Sequence, residues 1–164
     1  MSYQPRIGDY GVVKTKGWMG WLIRVGTASR WNHAFIYIGN DQIVEANPTG
    51  VSISPVSKYP LIAWNQHEEL TDAQRKKIVS RAKAFVGEPY GFGAILVIAL
   101  KILGLKIITK LFNEFAENEN SVICSQLVAW SYSVAKKKVS DKPHAFTTPG
   151  DLAERLIYQL FRNN

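Results

Sequence analysis

One cysteine in 164 residues leaves nothing for a disulfide framework, so the fold cannot depend on an oxidising compartment. It also excludes a zinc site built on a cysteine cluster. The three histidines, His33, His67 and His144, do not have a paired zinc spacing such as H-E-x-x-H. Long hydrophobic runs are missing as well. The uninterrupted apolar stretch at residues 94–100 is far short of the roughly 20 residues needed to span a bilayer. Met1-Ser2-Tyr3-Gln4-Pro5-Arg6 lacks the apolar run of a signal peptide. The expectation is therefore a cytoplasmic or phage-associated protein, delivered outward, if at all, by another route. Internal repeats and low-complexity tracts are also absent.

Acidic residues are scarce relative to basic ones, 13 against 20, and the formal charge of +7 favours polyanionic partners. Anionic wall polymer, a membrane surface and nucleic acid all fit that sign, but no nucleic-acid motif accompanies it. Arg75-Lys76-Lys77 and Lys136-Lys137-Lys138 read as ordinary solvated surface. Hydrophobic residues at 46% and charged ones at 20% describe a single ordinary globular domain over residues 1–164. Oligomeric state is not legible.

Strand patterns come early and helix patterns late. Residues 10–14 suit a strand, residues 33–46 read as two strands around a turn, and residues 50–54 make a third. Residues 18–25 carry helical spacing, and residues 55–66, with two prolines and no period, read as loop. Thr71-Asp72-Ala73-Gln74 is a capping box ahead of Ile78, Ala82, Phe85 and Val86, with Gly87 as the stop. Residues 93–112 form an apolar, lysine-interrupted segment, expected to be one or two amphipathic helices within an insertion over about 93–120. Thr148 caps a last helix that starts at Pro149 and turns Leu152, Leu156 and Leu160 to the core. That order predicts an α+β fold with a small antiparallel sheet.

The lone cysteine, Cys124, precedes Leu127, Val128, Trp130 and Val134 at helical spacing, which places it at a helix N-terminus. Unpaired amides and the helix dipole converge there and favour a thiolate. His33 opens one predicted strand and Glu45 closes the next. A cysteine, a histidine to deprotonate it and a carboxylate to orient the histidine are the parts of a thiol hydrolase. Singly, each has an ordinary explanation: a buried small hydrophobe, a strand-end histidine, a surface charge. Together they form a candidate site. His67 and His144 read as loop surface, Asp9 as a turn residue and Asp151 as a helix-cap residue.

Five stretches in order carry a resemblance to a known family: Gly8-Asp9; residues 33–46; Gly87-Glu88-Pro89-Tyr90-Gly91; residues 123–130; and Thr148-Pro149-Gly150-Asp151-Leu152. They resemble the NlpC-type cell-wall peptidase superfamily, and more closely its circularly permuted, YiiX-like and lecithin–retinol-acyltransferase-like branch, in which the histidine strands precede the cysteine helix. The resemblance implies a permuted papain-like fold, with the sheet packed on helices and the nucleophile at a helix N-terminus. It implies Cys124 as nucleophile, His33 as general base and then acid, and Glu45 as the group orienting His33. Tyr90 would lie near the site and help bind substrate or oxyanion, and the Cys124 backbone N–H would be an oxyanion donor. Chemistry in this family proceeds through a thioester, without metal or cofactor. The implied substrate is an amide bond, foremost in peptidoglycan peptides. A lipid ester or amide is the alternative, which residues 93–112 keep open, and a non-catalytic binding or phage structural module is a third reading.

Strand parity adds a geometric expectation. His33 stands directly opposite Glu45 only if the hairpin is centred on Gly39, which requires a three- or five-residue loop, or a bulge that restores the match. The cysteine helix is then expected against the face that carries His33.

Overall fold

The computed structural model describes residues 3–16, 29–66, 69–91 and 122–162, with side chains to residue 156. The expected helix at 18–25, the apolar insertion at 93–120, His67 and the side chain of Leu160 lie outside the described residues. Among the described residues there are five strands, β1 (Tyr10–Val13), β2 (His33–Gly39), β3 (Gln42–Asn47), β4 (Gly50–Pro55) and β5 (Ala63–Trp64). Three helices accompany them, α1 (Asp72–Ala84), α2 (Cys124–Ser133) and α3 (Pro149–Arg162). The strands form one antiparallel sheet in the order β4-β3-β2-β1-β5. The α+β class is as expected. β5 was not legible, because two residues paired to Gly11 and Val12 leave no period in the sequence.

Strand alternation sorts the sheet into two chemistries. Tyr10, Val12, Ala34, Ile36, Val44 and Ala46 face α1 and α2 and share a core with Ile78, Ala82, Leu127 and Val128. Val13, Phe35 and Ile43 face the other way, under Tyr37, Val56, Tyr59, Ile62 and Trp64. The chain after β4 folds back over this second face. It starts as a 3-10 turn (Val56–Lys58) tethered by Val56 N–H to the carbonyl of Asp41 at 2.8 Å. Gly11 makes that cover possible, since a Cβ there would lie 2.6 Å from Phe35 Cε2.

Both predicted caps form. Thr71 Oγ1 accepts from Gln74 N–H while Gln74 Oε1 accepts from Thr71 N–H, so two orphan amides of α1 are satisfied reciprocally. At α3, Thr148 Oγ1 accepts from Asp151 N–H and Asp151 Oδ2 accepts from Thr148 N–H. Helix α1 ends at Ala84, and Gly87 takes φ +96°. Val86 leaves the core face and is 43% exposed.

Two readings of polar residues need correction. Arg75 is not solvated surface: it is buried, and its Nη1 meets Asp9 Oδ1 at 2.6 Å. Asp9 is more than a turn residue. Its other oxygen accepts from Tyr3 Oη and Arg6 N–H, so one buried carboxylate ties the N-terminal segment to α1. Helical period alone could not show this, because an arginine on a helix face is usually solvated. Removing one partner leaves an uncompensated buried charge, so Asp9→Ala should lower unfolding free energy in urea by about 3–5 kcal/mol. Arg75→Met should cost a comparable amount, and the double variant less than the sum. Additive losses would show that the two groups do not act as a pair.

Candidate active site

The cysteine helix is fixed at its first turn by its own side chains. Ile123, the N-cap, is extended and has no acceptor side chain, so the Gln126 side chain reaches back, its Oε1 accepting from Ile123 N–H at 3.1 Å. Gln126 Nε2 donates to Ala145 O and Ser125 Oγ to Thr147 O, which pin the turn to residues 145–147. Residues 124–132 are buried throughout, as suits a helix enclosed by the sheet, α1 and α3. Cys124 opens it, where the first-turn amides have no intrahelical carbonyl and the dipole is positive.

Histidine 33 opens β2. The residue before it, Asn32, is buried and bonds the Thr15 backbone at both ends of its amide, N–H to Oδ1 at 2.7 Å and Nδ2 to the carbonyl at 3.0 Å. That clamp fixes where the strand begins. His33 Nε2 lies 2.7 Å from Glu45 Oε2, and Cys124 is near enough to the ring to favour its charged form. The three expected residues therefore meet, at exposures of 1% for Cys124, 8% for His33 and 0% for Glu45.

The route to that meeting differs from expectation in two respects. The hairpin is not centred on Gly39. Its turn is Asn40-Asp41, both at positive φ (52° and 55°), the backbone of a two-residue hairpin turn that suits Asn and Asp. Beyond Gly39↔Gln42 the register shifts at a bulge, so that Tyr37 faces Ile43 and Phe35 faces Glu45. Without the bulge Glu45 would face Ile36 and turn to the helix side. With it, Glu45 shares a face with Phe35 and hence His33, and the two meet diagonally.

The second difference is the helix side. Helix α2 packs on the face of Ala34, Ile36, Val44 and Ala46, opposite to the face of His33. Thiol and imidazole meet because each is the first residue of its element. Contact is made around the end of the sheet, not across it.

A buried carboxylate needs donors, and Glu45 has them from several directions. Lys58 Nζ reaches Oε1, and Tyr59 Oη donates to Oε2 beside His33. Burial alone would raise the Glu45 pKa, but the bonds from His33, Lys58 and Tyr59 outweigh it and hold the carboxyl well below the usual range. Burial likewise works against a charged His33, yet Cys124 and Glu45 lift it to about 9. Sequence gave no signal for Lys58 and Tyr59, which lie in an aperiodic stretch read as loop.

Tyr90 is buried and bridges Val122, with Val122 N–H donating to Pro89 O at 3.0 Å, so it flanks the residue pair ahead of Cys124. Burial, and then the field of Cys124, push its phenol pKa far up, which keeps it a donor. His144 is exposed at the start of a short 3-10 turn, as expected of surface. Asp151 acts as the cap partner described above.

No family profile matches the chain, and no curated protein does. Among solved structures it is similar to the metalloprotein YiiX from Escherichia coli O157:H7, at TM-score 0.60 and 18% identity. The match covers 85% of this chain and 71% of that one. The chain thus has a YiiX-type α+β fold, compatible with a small papain-like one. Among the described residues no helix is long and apolar enough to cross a membrane. A metal does not fit the donors here. Glu45 is already engaged by His33, Lys58 and Tyr59, and among the described residues no group of three His, Cys, Asp or Glu side chains is arranged to hold a metal ion.

Because the folded pKa of His33 lies above the ordinary 6.5, its stabilising contribution is complete below about pH 6.5 and lost as pH rises through about 9. The stability gap between wild type and His33→Gln, measured by urea unfolding, should therefore shrink across that window. The Glu45 contribution stays constant there, since a depressed carboxyl gives way only in acid. A gap that widens with pH would reject the charged-imidazole assignment.

Proposed function

We propose that the chain is a cysteine hydrolase, an amidase or endopeptidase of the permuted NlpC type, acting on amide bonds in peptidoglycan peptides. The observation that carries this reading is the meeting of Cys124, His33 and Glu45, with His33 bonded to a buried carboxylate and beside the buried thiol. The basic charge would draw the protein to anionic wall polymer.

As general base His33 takes the Cys124 thiol proton and holds it as an imidazolium, the form its surroundings favour up to about pH 9. The sulfur attacks the amide carbon, and the oxygen gathers charge near the Cys124 N–H at the helix N-terminus. The C–N bond breaks as His33 gives its proton to the leaving nitrogen, leaving a thioester. Water then attacks the thioester carbon, losing a proton to His33, and the S–C bond breaks to release the acid. Glu45 keeps the ring oriented and balances its charge through both halves of the cycle. Tyr90 would help to bind the substrate or the oxyanion.

Isolated peptidoglycan and soluble muropeptides, with product analysis by mass spectrometry, test the reading. New amine and carboxylate ends are expected from wild type, and Cys124→Ser should lose at least ~10³-fold in turnover while keeping its fold. Full activity in Cys124→Ser would move the chemistry elsewhere. Activity on lipid esters or amides alone would transfer the same site to a lipid substrate.

The alkaline limb gives a further check. Amide cleavage should fall as pH rises through about 9, where His33 loses the proton the leaving nitrogen needs. An activated aryl ester, whose leaving group needs no proton, should keep its acylation rate there. Parallel decline of both would rule out His33 as the acid.

A further inference from the structure

The residues after β4 are aperiodic, yet they place two side chains on the buried carboxylate. The 3-10 turn is anchored at Val56 to the β2–β3 turn, and Tyr59 N–H closes it on the Val56 carbonyl at 3.1 Å. From that anchor Lys58 takes Glu45 Oε1, and Tyr59 Oη shares Oε2 with His33 Nε2. The Tyr59 ring is stacked on Phe35, with centroids 5.1 Å apart and planes 12° apart, and also lies 5.6 Å from the imidazole. Its phenol pKa is pushed far up, by burial and then by Glu45, so the hydroxyl remains a donor across the working range.

A carboxylate held at one oxygen can rotate about its terminal bond. Held at both, from two directions, it has one orientation, and so has the ring bonded to it. We propose that Lys58 and Tyr59 are positioning residues for the reaction above, clamping Glu45 by both oxygens so that the His33 ring stays aimed at Cys124. The inference rests on the hydrolase reading only for its kinetic consequence; its structural half concerns His33 alone.

The groups facing the imidazole are Cys124 from α2, Glu45 from β3 and Tyr59 from the covering loop, with Lys58 one atom further on across the carboxylate. Lys58 opposes the imidazolium charge, and the Tyr59 hydroxyl draws charge from the oxygen that His33 uses. Removing either should strengthen the hold of Glu45 on a protonated ring while loosening its aim. Titration should move up and turnover should go down.

NMR titration of the His33 ring in the unreacted protein, alongside muropeptide turnover, reads both halves. In Tyr59→Phe and in Lys58→Met the His33 midpoint should rise by about half a unit, and kcat should fall about tenfold with KM within about twofold. Lys58→Arg should recover most of the turnover. An unmoved midpoint in a folded Tyr59→Phe, whether activity is kept or falls with the folded fraction, would reduce these residues to packing and overturn the proposal. A shifted midpoint in a protein whose wild type turns over no muropeptide would support the clamp and sink the hydrolase reading.

Discussion

A carboxylate with no solvent exposure governs this structure. Glu45 sits in the middle of β3, between β2 and β4, where water cannot reach it. An isolated charge there would be expelled or neutralised. It stays ionised because donors come to it from β2 and from the loop that folds over the sheet. Strand register, the fold-back of residues 56–62 and the clearance at Gly11 can all be understood as conditions for delivering those donors. The same condition protonates His33, so the charge state of the site is set by burial on one side and bonding on the other.

The two faces of the sheet divide the work. The helix face is apolar and closes a core with α1, α2 and α3, fixing Cys124 as part of a rigid element. Polar groups buried on that side are stitched in pairs, as where Asn65 links Tyr10 N–H to the Tyr132 hydroxyl, which in turn donates to Gly8 O. The opposite face carries the imidazole and its carboxylate among aromatic rings. Neither face holds all three groups. They come together only where β2 begins and α2 begins, so precision in the starts of those elements matters more than precision along their lengths. Asn32 on one side and Gln126 with Ser125 on the other serve that end.

Much of the architecture was legible because it rests on local chemistry. The capping boxes at Thr71 and Thr148, the hairpin of residues 33–47 and the helix after Cys124 are set by residues within a few positions of one another. So was the identity of the three meeting side chains: His33 and Cys124 each open an element that the sequence marks, and Glu45 lies on the strand that pairs with that of His33. What escaped depends on distant partners. Arg75 looks like one of three surface cations until Asp9 is brought against it. Lys58 and Tyr59 look like loop until the chain folds back over β3. The side on which α2 packs could not follow from parity within one hairpin, because parity sorts residues between faces without saying which face a remote helix will choose.

The bulge between Tyr37 and Gly39 makes the β2–β3 hairpin a counter that recognises only odd and even. A change of one residue anywhere between His33 and Glu45 would exchange the faces of the two strands relative to each other. Glu45 would then turn into the apolar layer beside Ile36, where no donor waits. A change of two would return every side chain to its own face. Loop grafts at Asn40-Asp41, and natural length variation among chains sharing this site, should therefore come in steps of two, with single-residue differences accompanied by a bulge gained or lost elsewhere in the same hairpin.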